Sequence, residues 1–506
     1  MGKDSKRFLK GVVSGYVFMI VSLLVSLWLV PFTLKYLTRP EYAIYAIATD
    51  LLSWLGLASL GVVSVFNSRG AQLMGKVDKE ELNIVASTTF FTQMASAIIV
   101  VLAGIVVIIR PELLFSKDAS ADHLQVVVAI LVTSFTISYI LQPLNSMLVA
   151  SKQIHVDNYL KFGLLAINTA LTVLFLTRGL KLLSIALSNF AGTVIISTIT
   201  WIRVKRTLGY IKIHPALWHF DRFKFLLKNG IWFSIGGLAG IFILRMDSFL
   251  IGQFIALTTV TSYVITIKLY QIADKFHQQF FNTTRPYFAQ VYGKGDMGLL
   301  ARMHSLSFNL SFTAAFVMGV VVMLINKWFI RIWVGPDFYL GDTLNMLLCV
   351  NFILQASVLP NRILLATTFY KIEWHNITRV TEGILKLAIA ILLFSKVGVH
   401  AVVIASIIAC LLFSSIFLNY LTSSLLNENI WNKIRLLFLT LSIIAVFYFT
   451  DGNYIRILLY TVVLIFVVLI FGLRENNNLR LIYSYLPGFK KISTNESAFI
   501  EEDKSL

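Results

Sequence analysis

Residues 71–82 read AQLMGKVDKEEL and residues 289–300 read AQVYGKGDMGLL, so six of twelve positions are identical without a gap. The two segments lie 218 positions apart. At the same offset Lys10 falls on Lys228 and Tyr45 on Tyr263, which extends the register over two apolar segments. Internal repeats of this kind are typical of secondary transporters, whose substrate path lies between the copies. The chain is therefore predicted to contain a duplicated unit.

Composition places that unit in a membrane. The chain is 57% hydrophobic and only 13% charged, with a mean hydropathy of +0.79. So much apolar surface cannot be buried within the chain in water, and lipid must cover the remainder. Apolar runs of roughly 20 residues predict about fourteen transmembrane helices, near 11–36, 42–66, 84–109, 124–149, 157–176, 180–202, 229–254, 260–282, 303–325, 341–366, 374–395, 398–421, 433–450 and 454–473.

The predicted spans divide into two bundles. Residues 1–202 form an N-terminal six-helix bundle, 203–228 a basic cytoplasmic linker and 229–421 a C-terminal six-helix bundle, followed by two additional helices in 422–473 and a cytoplasmic tail, 474–506. Because six is even, both copies start on the same side, which predicts parallel repeats that form N- and C-lobes around a central cavity. The net charge of +18 comes largely from loops on one side. This bias indicates cytoplasmic termini and contact with membrane lipid rather than with nucleic acid.

The loops exclude several kinds of chemistry. No predicted outer loop is long enough to hold the catalytic domain of a glycosyltransferase or polymerase. The nucleotide-binding, zinc-protease and serine-nucleophile signatures are missing from the sequence. Cys349 and Cys410 lie singly in apolar spans, where a thiol acts as a small hydrophobic group. We therefore predict no enzyme activity, metal or cofactor.

Ionisable residues inside spans are the candidate functional groups, because each costs roughly 2.5–3.5 kcal/mol near a helix centre. In the eighth span Lys268, Gln271, Lys275 and Gln278 share one narrow helical face. The repeat mate of Lys268 is Asp50. One interpretation is a structural ion pair between Lys268 and Asp50. The other is a cationic surface in the substrate cavity, and a pair that opens in one state would combine the two as a gate.

Arg245 and Asp247 lie two residues apart in the segment IFILRMDSFLIG, 241–252. This spacing turns the two side chains to nearly opposite sides of a helix, so at least one of them needs another partner. Arg245 is a candidate cavity cation. Asp247 is a candidate for ion coupling or for orienting a neighbouring helix.

The other charged candidates favour structural roles. Arg379, Glu382 and Lys386 follow a spacing of three and four residues, which predicts a ladder that neutralises itself along one helix. Glu382 is also a candidate for ion coupling. Arg362 and Arg69 lie near cytoplasmic helix ends, where long basic side chains extend towards the membrane surface.

Several of these segments resemble Wzx-type polysaccharide flippases of the multidrug/oligosaccharidyl-lipid/polysaccharide (MOP) exporter superfamily. In the first copy the resemblance lies in PFTLKYLTRPEYAIYAIATDLLSWLGLASLG, 31–61, and the polar SRGAQ loop, 68–72. In the second copy it lies in RMDSFLIGQF, 245–254, and RPYFAQVYGKGD, 285–296, with the turn IRIWVGPDF, 330–338. Together these segments extend the resemblance over about residues 8–425.

The resemblance implies a bacterial inner-membrane protein that moves undecaprenyl-pyrophosphate-linked oligosaccharide to the periplasmic leaflet for O-antigen or a related surface glycan. It also implies a polysaccharide polymerase and a chain-length regulator as partners, and it places Arg245, Asp247 and Lys268 in the cavity. Asp50 departs from the pattern. Transport by alternating access would be driven by a proton or sodium gradient through Asp50, Asp247 or Glu382, or by the substrate gradient alone.

Three alternatives remain open on the sequence. A cation-coupled drug or metabolite antiporter of the same superfamily is the nearest, although such proteins usually have twelve spans. A flippase for the peptidoglycan lipid precursor has fourteen. A membrane glycosyltransferase or glycan polymerase is the least favoured, because it would need a substantial external loop.

Overall fold

The computed structural model describes residues 3–76, 78–115, 123–151, 153–367 and 372–449. Regular structure within these ranges is helical, without a strand, so the predicted all-α fold is confirmed. Numbered in chain order, the α-helices are α1 (Lys3–Leu34), α2 (Arg39–Leu55), α3 (Val62–Lys76), α4 (Lys79–Ile109), α5 (Leu124–Ala150), α6 (Ile154–Thr177), α7 (Lys181–Thr207), α8 (Phe220–Leu244), α9 (Asp247–Phe254), α10 (Leu257–Thr266), α11 (Lys268–Asn282), α12 (Arg285–Gly293), α13 (Met297–Trp333), α14 (Asp342–Ser357), α15 (Leu359–Thr367), α16 (Ile372–Val397), α17 (His400–Ala409), α18 (Leu418–Leu426) and α19 (Ile430–Phe449). A π-helical run, Cys410–Phe417, joins α17 to α18.

Ten helical segments of the described chain are long and apolar enough to cross a membrane. The chain is therefore a multi-pass membrane protein, although the predicted total of fourteen spans is not confirmed. The span predicted at 454–473 lies outside the described residues. The span predicted at 260–282 is not one helix, because the helix is interrupted at Ile267, between α10 and α11. The ten segments that are long and apolar enough to cross a membrane are Val13–Leu34, Arg39–Ser59, Lys79–Ile109, Leu124–Ala150, Ile154–Thr177, Lys181–Thr207, Phe220–Leu244, Met297–Trp333, Asp342–Ala366 and His400–Leu426.

The helix starts reproduce the repeat seen in the sequence. Four helices of the first copy begin 218 residues before their counterparts in the second. The duplication therefore extends well beyond the two short segments that first revealed it. The paired starts are Arg39 and Leu257, Lys79 and Met297, Leu124 and Asp342, and Ile154 and Ile372.

The shared aspartate of the repeat segments begins a helix in both copies. The side chain of Asp78 accepts a hydrogen bond from the backbone N–H of Glu81 at 3.1 Å. Asp296 accepts the equivalent bond from Leu299 at 2.8 Å. An acceptor at this position satisfies one of the N–H groups left open at a helix start, which stabilises the helix by about 1 kcal/mol. The identity at this position thus reflects helix initiation.

A shared asparagine holds equivalent helices together. The Nδ2 of Asn158 on α6 donates to the carbonyl of Gly11 at 3.0 Å and to the hydroxyl of Ser14 at 2.9 Å, both on α1. On α16, 218 residues later, the Nδ2 of Asn376 donates to the carbonyl of Trp232 on α8 at 2.6 Å. Trp232 is the repeat mate of Ser14. The α1–α6 and α8–α16 pairs therefore use the same contact.

Helical prolines leave carbonyl groups that other helices satisfy. A proline lacks the N–H that would bond the carbonyl four residues earlier, and an unpaired buried carbonyl is costly. In three places a polar side chain from another helix donates to that carbonyl. The donors are Trp333 Nε1 to Leu27 at 2.6 Å for Pro31, Gln93 Nε2 to Tyr139 at 3.1 Å for Pro143, and Ser311 Oγ to Ala356 at 3.1 Å for Pro360.

The predicted basic linker, 203–228, contains the end of α7 and the start of α8. The chain between these helices is bound to α4 by backbone N–H groups that donate to α4 side chains. The predicted loop is therefore held against a helix. The bonds run from Lys212 to Asn83 at 2.9 Å, from His214 to Ser87 at 3.2 Å and from His219 to Thr88 at 3.3 Å.

The described chain forms two compact units. The first comprises Met1–Lys268, Lys327–Gly341 and Asn376–Ala409, and the second Leu269–Asn326, Asp342–His375 and Cys410–Leu506, as far as these ranges are described. Phe66, Leu82 and Met147 belong to the core of the first unit. Phe288 and Leu300 belong to that of the second. The division into the bundles 1–202 and 229–421 stays a prediction, because the units follow packing rather than repeat copy.

Candidate functional site at a broken helix

The helix α8, which opens the second repeat copy, is followed by a break. This break lies within the first compact unit. α8 ends at Leu244 and α9 begins at Asp247, and Arg245 between them has a backbone φ of −123°. A helix end leaves carbonyl groups without partners in the helix. One of these, the carbonyl of Ile243, accepts a hydrogen bond from the Nζ of Lys386 on α16. The break thus brings a cation from another helix against α8.

The same lysine neutralises Asp247. Its Nζ lies 2.6 Å from Oδ1 of Asp247, and the Lys386 side chain is only 2% exposed. The hydroxyl of Tyr263 on α10 donates to Oδ2 of Asp247 at 2.8 Å. A buried ion pair is stable only when its remaining polar atoms also find partners. Asp247 therefore ties the start of α9 to both α10 and α16.

Asp50 and Arg245 form a second ion pair, in which the basic side chain is more exposed than Lys386 is in the first. The Nη1 of Arg245 lies 3.0 Å from Oδ1 of Asp50. The Asp50 side chain is 10% exposed and the Arg245 side chain 53% exposed. A guanidinium group has five N–H donors in a planar fork, and this contact uses one nitrogen. Arg245 is thus fixed by a buried carboxylate while its side chain remains half-exposed, with N–H donors that this contact does not use.

The structure gives Asp50 a partner that the sequence analysis did not anticipate. One of the two interpretations paired it with Lys268, but the structure pairs Asp50 with Arg245. That interpretation assumed one continuous helix over 260–282. The break at Ile267 makes Lys268 the first residue of a new helix, α11.

The predicted cationic stripe on α11 also contains an acid. Gln271, Lys275 and Gln278 have exposed side chains. Asp274, which the sequence analysis overlooked, accepts a hydrogen bond from Nε2 of Gln278 at 2.7 Å. The stripe is therefore mixed in charge. From Leu269 onwards α11 belongs to the second unit, and a cavity role for Lys268, Gln271, Lys275 and Gln278 stays a prediction.

The ladder predicted on α16 is not confined to that helix. Lys386 pairs with Asp247 on α9 rather than only within its own helix. This correction has a physical reason, since the broken end of α8 and the start of α9 both supply acceptors for a buried ammonium group. Glu382 lies one turn earlier on α16 and is buried. Ion coupling through Glu382, Asp50 or Asp247 stays a prediction, as does a structural role for Arg379.

Arg362 is bound by side chains of the second unit, and its extension towards a membrane surface stays a prediction. Its Nη2 donates to Oε1 of Gln355 at 3.0 Å and to Oγ of Ser414 at 2.9 Å. Polar side chains inside the second unit therefore satisfy this cation. The guanidinium of Arg69 lies 6.0 Å from the centre of the Phe225 ring, in the first unit.

Sequence reasoning missed a buried polar cluster in the second unit. Glu428, in the turn between α18 and α19, pairs with Lys433 at 2.8 Å and with His304 at 3.0 Å. Burial raises the pKa of the Glu428 carboxyl group, but His304 and Lys433 together lower it by more than burial raises it. The pKa therefore lies below its ordinary value. The spacing of Glu428 and Lys433 indicated at most a local ion pair. His304 lies 124 residues away in the chain, where sequence spacing carries no signal.

Solved structures place this arrangement in a known fold. An inward-facing multidrug resistance MATE family transporter of the MOP superfamily matches with a TM-score of 0.68 at 14% identity, over 82% of this chain and 99% of its own. The lipid II flippase MurJ, in an inward closed conformation, matches with a TM-score of 0.65 at 14% identity, over 92% of this chain and 99% of its own. This chain has the MOP transporter fold. The resemblance predicted from the sequence is confirmed at that level.

Sequence comparison finds a distant relative. The membrane protein EpsK of Bacillus subtilis is 18% identical over 408 residues, which is 79% of each chain. No family model matches the sequence. The comparisons therefore show a shared fold, and the substrate has to be argued from the site.

Proposed function

We propose that this protein is a flippase that moves undecaprenyl-pyrophosphate-linked oligosaccharide from the cytoplasmic to the periplasmic leaflet of a bacterial inner membrane by alternating access. The observation that carries the proposal is Arg245, a cation whose side chain is half-exposed and which is held in place by the buried Asp50. Arginine binds phosphate oxygens in a bidentate manner. A pyrophosphate head group is therefore a suitable ligand for this position.

The charge balance of the site favours an anionic substrate over a cationic drug. Asp50 and Asp247 are the carboxylates at the helix break, and each is already paired with a basic side chain. Neither is left to attract an organic cation, whereas Arg245 is accessible. The site therefore supports a flippase better than a cation-coupled drug antiporter.

An apolar groove in the same unit suits the other part of such a substrate. It lies between α1 and α6 and has a volume of about 530 Å³. A long isoprenoid chain could remain there or in lipid while the head group crosses. The lining includes Val21, Val25 and Trp28 of α1 and Phe162, Leu165 and Val173 of α6.

A flipping assay tests the proposal. Proteoliposomes would contain undecaprenyl-pyrophosphate carrying a short oligosaccharide, and a membrane-impermeant lectin would report its appearance on the other side. We expect the wild-type protein to flip this probe and Arg245→Gln to slow it by at least about tenfold, the factor that corresponds to 1.4 kcal/mol. Lys224→Gln, on the exposed surface of α8, is the matched control and should retain the wild-type rate.

The outcomes separate the alternatives. Arg245→Lys keeps the positive charge but loses the planar fork of N–H donors. It should therefore flip the probe faster than Arg245→Gln but more slowly than the wild-type protein. Faster flipping of a peptidoglycan precursor than of other saccharides would indicate the precursor flippase. Export of an organic cation without any lipid flipping would overturn the proposal in favour of the antiporter.

A further inference from the structure

The polar cluster in the second unit is built around a fully buried histidine. His304 on α13 has its Nδ1 3.0 Å from Oε1 of Glu428 and its Nε2 2.9 Å from Oδ1 of Asn361 on α15. The His304 side chain is 0% exposed. Both ring nitrogens therefore face oxygen atoms, and the direction of each hydrogen bond has to be worked out from the surrounding donors.

The neighbouring amides determine which atom of Asn361 faces the ring. The carbonyl of Ser415 can only accept, so the group that Asn419 turns towards it must be Nδ2. Oδ1 of Asn419 then accepts from Nδ2 of Asn361 at 2.6 Å. This leaves Oδ1 of Asn361 facing His304. Nε2 of His304 must therefore carry a proton and donate it.

One further proton is required on the other side of the ring. A neutral imidazole has a single N–H, here already placed on Nε2. Nδ1 would then turn a lone pair towards the Glu428 carboxylate at 3.0 Å, which is repulsive. The contact is favourable only if a proton lies between them, either on the imidazole or on the carboxyl group.

Lys433 does not supply that proton, because its own three are used. Its Nζ donates to Oε2 of Glu428 at 2.8 Å, to Oγ of Ser423 at 3.0 Å and to Oγ1 of Thr422 at 3.2 Å. An ammonium group has three donors, so Lys433 is fully engaged in its charged form. Lys433 and the additional proton thus share one carboxylate.

We infer that His304 and Glu428 form a proton-binding site, which holds one proton between imidazole and carboxylate and releases it when α13 and the α18–α19 turn separate during the transport cycle. The release step, unlike the binding step, depends on the proposed transport function. Glu428 retains Lys433 after such a separation because both lie in the same part of the chain, whereas His304 loses its acceptor. The π-helical run Cys410–Phe417, which supplies Ser415, adjoins the cluster, and such runs are frequent at functional sites.

The protonation state can be measured without any transport assay. The full-length protein, labelled with 15N in histidine and 13C in glutamate side chains, would be studied by NMR in lipid nanodiscs. His304→Gln assigns the ring signals and Glu428→Gln the carboxyl signal. Between about pH 5 and 8 we expect a second N–H on His304 beside an ionised Glu428. A singly protonated His304 beside an ionised Glu428 throughout that range would overturn the proton-binding site.

Release is tested in proteoliposomes with the lipid-linked oligosaccharide probe. One coupled proton can shift the probe distribution by up to about tenfold per unit of pH gradient. We expect such a shift for the wild-type protein and for the control Glu81→Gln, and none for Glu428→Gln. An unchanged response in Glu428→Gln would refute proton release. If Glu428→Gln fails to fold because Lys433 loses its counter-charge, the double variant Glu428→Gln/Lys433→Gln replaces it.

A failure of the transport proposal has a different signature. If the wild-type protein does not move the probe at all, the proposed function fails. The NMR measurement still decides whether the proton is bound.

Discussion

The two copies of the repeat share a backbone register and differ in how their first helix is completed. In the first copy α1 continues to Leu34, and the carbonyl of Leu27, exposed by Pro31, is satisfied by the indole of Trp333. In the second copy the helix breaks at the repeat mate of Leu27, which is Arg245, and a lysine satisfies the nearby carbonyl. The same weak point is thus closed by a neutral donor in one copy and by a charged one in the other.

The side chains around these points extend the contrast. The repeat mates of Leu29 and Asn168 in the first copy are Asp247 and Lys386, which form the buried ion pair of the second. The α1–α6 pair leaves an apolar groove. Across the α8–α16 pair, a Cβ on Gly383 would lie 2.6 Å from Cβ of Phe242. On the shared scaffold, the first copy thus has an apolar groove between α1 and α6, and the second copy has a buried ion pair between α9 and α16.

The largest effect is expected from breaking the ion pair of the second copy. Lys386→Met leaves Asp247 buried without a counter-charge, which should lower the free energy of unfolding by about 3–5 kcal/mol. The double variant Asp247→Leu/Lys386→Asn introduces the residues of the first copy and should recover much of that loss. Chemical unfolding in detergent measures both. A double variant as unstable as Lys386→Met would show that the pair is not the source of the difference.

The tight packing of the second copy provides the next test. Gly383→Leu introduces the residue that the first copy has at Leu165, and its Cβ would overlap Phe242. Such overpacking costs about 1–3 kcal/mol. The matched control is Leu165→Ala beside the open groove, where the loss should be smaller. Equal thermal stability of Gly383→Leu and wild-type protein would contradict the structural contrast.

A double-mutant cycle tests the neutral donor of the first copy. Trp333→Phe keeps an aromatic ring but removes the N–H that bonds the Leu27 carbonyl, at a cost of about 1–3 kcal/mol. Pro31→Ala restores a helical N–H for the same carbonyl. The loss caused by Trp333→Phe should therefore be smaller in the Pro31→Ala background. Additive unfolding free energies would mean that the two groups do not share this carbonyl.

The smallest effect concerns acid stability, which distinguishes the second unit. Because the pKa of Glu428 is lowered in the folded protein, its ionised form adds stability above the ordinary glutamate pKa. That contribution is lost as the pH falls through the lowered value. The midpoint of thermal unfolding should therefore fall with acidification more steeply in the wild-type protein and in the exposed control Glu112→Gln than in Glu428→Gln. Parallel curves for all three would contradict the role of Glu428.

Several features of the site were predictable from the sequence, and their partners were not. The two-residue spacing of Arg245 and Asp247 indicated that they needed other partners, and the structure gives them Asp50 and Lys386. The interpretation that paired Asp50 with Lys268 did not anticipate that Asp50 pairs with Arg245. Asp274 was overlooked within a stripe interpreted as cationic.

The sequence by itself determined the class of the protein and its duplication. Apolar runs between charged loops require a membrane, and a constant offset of 218 residues records the repeat because local helix signals, such as the Asp78 and Asp296 caps, depend on neighbouring residues. Only the tertiary structure decided which buried charges meet. His304 and Glu428 are 124 residues apart, and their contact depends on how four helices pack. A buried charge requires a partner, but its own sequence neighbourhood does not specify which distant residue provides it.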